Sequence, residues 1–143
     1  MALRKNAKVD LLEGVPLFEG CSRRELGEIA LVADELDLGK GATLMREGER
    51  GREFVVLIEG TARVTRRGRK VRDLGAGDWA GEIALIADVP RTATVTTLTP
   101  VRMLVVTDRV FRRLLEQHPS IAAKILQALG KRLAANEKSQ GAT

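Results

Sequence analysis

One stretch of this sequence carries the parts of an anion-binding site in unbroken order: Gly81-Glu82-Ile83-Ala84-Leu85-Ile86-Ala87-Asp88-Val89-Pro90-Arg91-Thr92-Ala93-Thr94. A glycine lets backbone approach a ligand closely. A single helical turn offers free N–H groups to an anion, and a guanidinium takes two phosphate oxygens at once. Arg91 and the amides of Ala84 and Leu85 are therefore expected to hold a phosphate. A carboxylate beside them accepts from a sugar hydroxyl and repels a second negative charge, so Glu82 is expected to select ribose. The competing reading of Glu82 and Arg91 is a buried ion pair without a ligand. A bare pair is costly to desolvate, and it would not call for the glycine, the short apolar turn and the Pro-Arg spacing together.

The elements that must position these residues follow from the hydrophobic period, which changes from helical to alternating and back. From Ser22 to Val32, apolar positions Leu26, Ile29 and Ala30 recur at three and four, and Ser22 with Glu25 forms a capping box. Glycines from Gly39 to Gly81 then divide short apolar segments that predict strands over 35–38, 42–45, 54–58, 61–65, 70–74, 93–98 and 101–107. No crossover helix separates them, so an antiparallel sandwich, barrel or roll is expected. Residues 82–87 interrupt the strands, too apolar for a surface loop and too short for a full helix. Asp108 is expected to cap a helix through Leu115, and His118-Pro119 to start a last one. In that helix Ile121, Ile125, Leu129 and Leu133 step by four down one face.

Composition sets the outer limits. The 143 residues, 44% hydrophobic and 30% charged, suit one globular domain, here 1–143. Folding removes roughly 68% of such a chain's surface from water, enough for a core without staples. A single cysteine, Cys21, excludes an internal disulfide and a Cys-rich zinc site and fits a reducing compartment. No apolar run exceeds five residues, which excludes a transmembrane helix and a secretory h-region, and a cytoplasmic location is expected. The net charge of +5 invites a nucleic-acid reading, but only four aromatics (Phe18, Phe54, Trp79, Phe111) are present to stack on bases. Much of the excess is local, in Arg63, Arg66, Arg67, Arg69, Lys70 and Arg72 around Gly68. That hairpin reads first as a solvated tip, and second as an anion or partner site. His118 reads as a helix-start residue and Cys21 as a small residue near a helix start. With one histidine, no metal-ligand cluster and no Walker motif, an enzyme is not expected.

The 81–94 stretch resembles the phosphate-binding cassette of the cyclic nucleotide-binding domain family. Its pattern is roughly Phe-Gly-Glu, an apolar residue, Ala-Leu, a short spacer and Pro-Arg-Ser/Thr/Ala-Ala. The match includes the nine-residue offset from Glu82 to Arg91. Further family-like pieces appear in order: Val15-Pro16-Leu17-Phe18, Ser22 to Leu26, Arg46-Glu47-Gly48-Glu49, Gly60, Leu74-Gly75-Ala76-Gly77-Asp78, Phe111 to Leu115, and Arg132-Leu133. The resemblance covers about Leu11 to about Glu137, leaving 138–143 as an expected tail. Two departures are Ala80, where an aromatic residue is common, and Val55, where Tyr is frequent.

The resemblance implies a mainly β protein with flanking helices. Its form is an eight-stranded antiparallel, jelly-roll-like β-roll with N-terminal helices, a short cassette helix and two C-terminal helices, like that of the catabolite activator protein and protein kinase A regulatory subunits. It implies that Glu82 accepts the ribose 2′-hydroxyl and Arg91 pairs with the cyclic phosphate. The amides of Ala84, Thr92 and Ala93 would complete the cradle, with Gly81, Ile83 and Leu85 as the other cassette positions. The last helix would act as a lid over the base, with Arg132, Asn136 and Glu137 as the candidates to touch it. The family uses a hydroxyl at the position of Thr92 to contact the 2-amino group of guanine. The expected ligand is cAMP by preference, with cGMP as the other choice, and no metal. The expected partners are a second copy or an effector protein, met through the last helix, without a membrane. Direct DNA binding is not expected, because the chain ends about ten residues past Leu133 without the helix-turn-helix domain of activator relatives. The alternatives from other classes are a ligand-free β-roll scaffold, and anion or nucleic-acid binding through the Arg-rich hairpin.

Overall fold

The computed structural model describes residues 3–139, with side chains as far as Ala135. Two helices lead: α1 (Lys5–Glu13) and, after a 3-10 turn at Pro16–Phe18, α2 (Arg23–Leu31). Eight strands follow, β1 (Asp34–Leu38), β2 (Thr43–Met45), β3 (Glu53–Glu59), β4 (Ala62–Arg66), β5 (Arg69–Leu74), β6 (Trp79–Ala80), β7 (Thr94–Thr97) and β8 (Val101–Thr107). A 3-10 turn at Glu82–Leu85 separates β6 from β7, and α3 (Asp108–Gln117) and α4 (Pro119–Ser139) complete the order. The strands form two four-stranded antiparallel sheets, β1-β8-β3-β6 and β2-β7-β4-β5. This is the expected β-roll with flanking helices. Among the described residues no helix is long and apolar enough to cross a membrane.

β3 shows why its sequence is apolar without alternation. Successive side chains point to opposite faces of a strand, and both faces of this one are covered. Phe54 and Val56 enter a core shared with the helices, including Leu12, Phe18, Leu26, Ile29, Phe111 and Ile121. Val55 and Leu57 enter a second core between the sheets with Met45, Val64, Leu74, Val95 and Met103. The Phe18 ring meets Phe54 edge-on at 5.9 Å and Phe111 at the same centroid distance. That aromatic contact locks the first 3-10 turn, the sheet and α3 together.

Three sequence expectations are corrected. Asp108 does not cap α3; Thr107 does, its hydroxyl accepting from the Val110 N–H at 3.4 Å. Asp108 is instead the first helical residue, where an acid favours the positive end of the helix dipole, and the helix runs past Leu115 to Gln117. The stripe on α4 does not hold one face. A step of four residues overshoots a full turn by about 40°, so Ile121 and Ile125 are buried while Leu133 has rotated out to 63% exposure. The buried register is Ile121, Ile125 and Ala128. The strand reading also missed the two-residue β6, whose Trp79 and Ala80 pair with Val56 and Val55. Ala80 and Val55, the two departures from the family pattern, thus face each other across one ladder.

The capping box of α2 forms as expected, and its acid does a second task. Glu25 accepts from the Ser22 N–H at 2.9 Å, from the Ser120 hydroxyl at 2.7 Å, and from the Lys124 ammonium. Those bonds, Lys124 foremost, pull its carboxyl down to about 2. The start of α4 is therefore tied to α2 by charge as well as by Ile121. A carboxyl whose folded pKa lies below its unfolded value stabilises the fold above the unfolded pKa, near 4.5, and ceases to do so as pH falls through about 2. Glu25→Gln is expected to lower stability at pH 7 by about 1–2 kcal/mol. The difference between the two proteins should narrow between those pH limits, as measured by urea melts across the range.

Candidate functional site

Arg91 is the centre of the arrangement. Its backbone is clamped to the loop after β2, donating to the Glu49 carbonyl at 2.8 Å and accepting from the Gly48 N–H at 2.8 Å. Its side chain is 9% exposed. Nη2 donates to the Glu53 carbonyl at 2.6 Å and lies 3.6 Å from the Glu53 carboxylate. Burial lowers the guanidinium's pKa, and the Glu53 charge opposes that shift. A guanidinium carries five N–H donors. Among the described residues only the Glu53 carbonyl takes a hydrogen bond from it. A mostly desolvated cation with donors left over is suited to hold an anion.

Two glycines make room for it. A Cβ at Gly51 would lie 2.4 Å from Arg91 Nε, and one at Gly81 would lie 2.5 Å from Nη1 and 2.7 Å from the Glu53 carbonyl. Gly81 also has φ +83°, a left-handed conformation that lets β6 turn into the 3-10 turn. The expected role of Gly81 thus has a geometric basis, whereas Gly51, part of the same cradle, was missed in the sequence. Its signal was present only as one more glycine between short strands.

The 3-10 turn places Glu82 with its side chain 16% exposed, and Oε1 lies 3.9 Å from Nη2 of Arg132 on α4. The cassette carboxylate and the expected lid arginine, fifty positions apart in the chain, are brought together. The Ala84 N–H donates to the Gly81 carbonyl at 3.1 Å, so in this conformation that amide is engaged inside the turn. The Leu85 side chain is fully buried in the core with Phe54 and Phe111 and anchors the turn; the role expected for this residue is that of its amide. Asn136 and Glu137 lie outside the residues whose side chains are described.

A cavity of about 370 Å³ opens in front of Arg91. Gly81, Glu82, Ile83, Ala84, Arg91, Thr92 and Ala93 line it. The sheet completes the wall with Met45, Val64 and Val95, and β5 adds Val71. Arg66 and Arg72 line it too, so the Arg-rich hairpin is not only a solvated tip. Arg66 reaches the cassette itself, its Nε donating to the Thr92 carbonyl at 3.1 Å. The strand alternation that brings Arg72 and Val64 to one cavity was legible only once β4 and β5 were paired. The cavity therefore offers a cation at its base, a carboxylate at one side, apolar walls and two further guanidinia. Such a surface fits a small amphipathic anion with a hydroxyl-bearing ring.

A profile of the cyclic nucleotide-binding domain matches residues 35–118. The chain belongs to the cyclic nucleotide-binding domain family. This cyclic nucleotide-binding domain is 37% identical over 113 residues to a cAMP-dependent protein kinase regulatory subunit of Mycosarcoma maydis, covering 73% of this chain and 22% of that protein. The N-terminal domain of a transcriptional regulator from Streptomyces coelicolor A3(2) superposes with a TM-score of 0.84 at 30% identity, over 90% of this chain and 96% of that one. The regulatory domain of Toxoplasma gondii PKA with cAMP superposes with a TM-score of 0.73 at 26% identity, over 92% of this chain and 50% of that one. The chain spans 22% to 58% of the length of the first curated relatives it matches.

The remaining singled-out residues are structural. Burial, and then the Glu25 charge, push the Cys21 thiol up, away from the thiolate a nucleophile needs. His118 ends α3, donating its N–H to the Leu114 carbonyl at 2.9 Å, and its Nε2 lies 3.6 Å from Glu28. Trp79 is partly buried against the helical core.

Proposed function

We propose that this domain is a cytoplasmic cyclic nucleotide sensor that binds cAMP by preference and shifts its C-terminal helices without turning the ligand over. The observation that carries the reading is the mostly buried Arg91 guanidinium, held from behind by Glu53 and facing a cavity with donors unspent. The cyclic phosphate pairs with Arg91, the ribose 2′-hydroxyl donates to Glu82, and the amides of Thr92 and Ala93 complete the cradle. The purine lies against Val64, Val71 and Val95. The cAMP preference draws on the similarity to a cAMP-dependent protein kinase regulatory subunit and to a PKA regulatory domain solved with cAMP.

The switch is a population shift, and a ligand drives one only by binding one state better than the other. Arg132 supplies the differential contact. It holds Glu82 from α4, so a ribose hydroxyl arriving at the same carboxylate changes how the lid is held. α4 is buried as far as Ala128, whereas the residues from Lys131 to Ala134 are exposed, so little apolar burial opposes a displacement of that part of the helix. Leu126 and Leu133 stand 69% and 63% exposed on it, the side chains through which a second copy or an effector would be engaged. Glu replacing both would change the mass measured by light scattering if that partner is a second copy.

Calorimetric titration with cAMP and cGMP side by side tests the reading. Ligand at a hundred times Kd adds about 2.7 kcal/mol, a rise in Tm of roughly 5–11 °C at this size. No heat and no shift with either nucleotide at millimolar concentration would refute it. A cGMP preference is the second reading, favoured by one feature of the cavity. Arg66 and Arg72 line it, and an arginine pairs with the O6 and N7 acceptors of guanine, whereas adenine presents a donor at N6. For Glu82→Gln a loss of about 1–3 kcal/mol in affinity is expected, because the ribose hydroxyl loses a charged acceptor. The 2′-deoxy ligand should bind parent and variant alike; if it separates them as far as the ribo ligand does, the role assigned to Glu82 is wrong.

A further inference from the structure

A second charged depression, of about 440 Å³, lies on α3 and shares no residue with the nucleotide cavity. Arg52, Arg109, Arg112 and Arg113 line it, with the carboxylates of Asp108 and Glu116. Asp108 is already committed: it accepts from the Arg109 N–H at 2.7 Å and lies 4.0 Å from Arg112. Its own N–H donates to the Arg52 carbonyl at 2.8 Å, which fixes the loop arginine beside the helix. Among the described residues Arg52, Arg109 and Arg113 form no ion pair, while acids elsewhere hold Arg23, Arg50, Arg63 and Arg102. All three guanidinia are exposed; Arg109 and Arg113 stand on a helix whose opposite face, Phe111 and Leu114, is buried in the core. The cations are therefore held on a rigid support.

We infer that this face of α3 docks an acidic protein segment. Arg109 and Arg113 are one helical turn apart, so their side chains leave the helix about 6 Å from each other. Carboxylates on the same side of an extended peptide repeat at about 6.6 Å, and a guanidinium takes a carboxylate with two parallel bonds. Arg52 extends the row from the neighbouring loop, and exposed Val110, three residues before Arg113, adds an apolar contact. Nucleic acid fits less well. Its phosphates would meet Glu116 without a donor to answer it, and the patch is too short to release many counterions from a duplex. A peptide can answer Glu116 with its own N–H groups.

The test is fluorescence anisotropy of a labelled hexaglutamate peptide with the full chain at about 50 mM salt, where surface charges are only partly screened. Saturable binding is expected, weakened about tenfold or more in R109E/R113E and less than about twofold in R67E/R69E. The second pair reverses the same number of charges on the hairpin and so controls for net charge. Should R109E/R113E fail to fold, the milder R109Q/R113Q should still weaken binding several-fold. Absence of peptide binding, equal loss in the two charge-reversal pairs, or displacement of the peptide by duplex DNA at a lower charge concentration would each overturn the inference. Calorimetry of R109E/R113E with cAMP reads the nucleotide cavity separately, so failure of either proposal is seen without the other.

Discussion

Arg91→Ala is expected to weaken cyclic nucleotide binding by about 2–5 kcal/mol, or roughly thirty-fold to several thousand-fold in Kd by calorimetry. The loss is large because the guanidinium is 9% exposed. Water cannot enter freely to replace it, and the phosphate would be left as an unpaired charge. The fold should tolerate the change. Arg91 contributes one side-chain hydrogen bond, to the Glu53 carbonyl, and its removal also relieves the burial of a cation. A Tm within a few degrees of the parent, with affinity lost, is the expected pairing. Equal affinities in the two proteins would remove Arg91 from the site.

The two cradle glycines are expected to separate binding from stability. Gly51→Ala places a methyl 2.4–2.7 Å from Arg91 Nε, Cζ and Cδ, all in one flexible side chain. The arginine can swing away at little cost to the fold, so Tm should change little while affinity falls by about tenfold to a hundredfold, since a small misplacement of a charged partner is costly. Gly81→Ala meets Arg91 Nη1 and also the Glu53 carbonyl at 2.7 Å, at a φ of +83°. Backbone cannot swing away, and a left-handed alanine adds about 1–2 kcal/mol of strain. This variant should lose affinity at least a hundredfold and melt roughly 4–8 °C lower. In an Arg91→Ala background the Gly51 substitution should become neutral for binding, because the group it displaces is gone. Additive losses in that double variant would show that Gly51 acts through something other than Arg91.

The site is made by two surfaces meeting at Arg91. The cassette supplies Gly81, Glu82 and the turn, while the loop after β2 and the start of β3 supply Gly48, Gly51 and Glu53. The Arg-rich hairpin contributes Arg66 and Arg72 from a third direction. Only the first of these shares one unbroken run of sequence with Arg91, which is why it is the part of the site legible there. From sequence, Arg66 and Arg72 read first as a solvated tip and second as an anion or partner site, because neither spacing nor composition distinguishes an exposed strand residue from one facing a cavity. What decides it is the register of β4 against its hairpin partner β5 and against β7, about thirty residues further along the chain.

Sequence alone determined the class of fold, seven of the eight strands in their order between helical ends, the capping box of α2, and the cassette with its glutamate and arginine. Each of these is encoded by neighbours within one or two turns of chain, where period, caps and local spacing act directly. The tertiary structure decided the rest. It turned Leu85 into the core and rotated Leu133 out of it. It moved the cap of α3 to Thr107 and set Gly51 and Glu53 behind Arg91. It also brought Arg132 to Glu82. Those outcomes depend on which distant surfaces close on one another, and side-chain burial and pairing are properties of that closure rather than of any local run of residues.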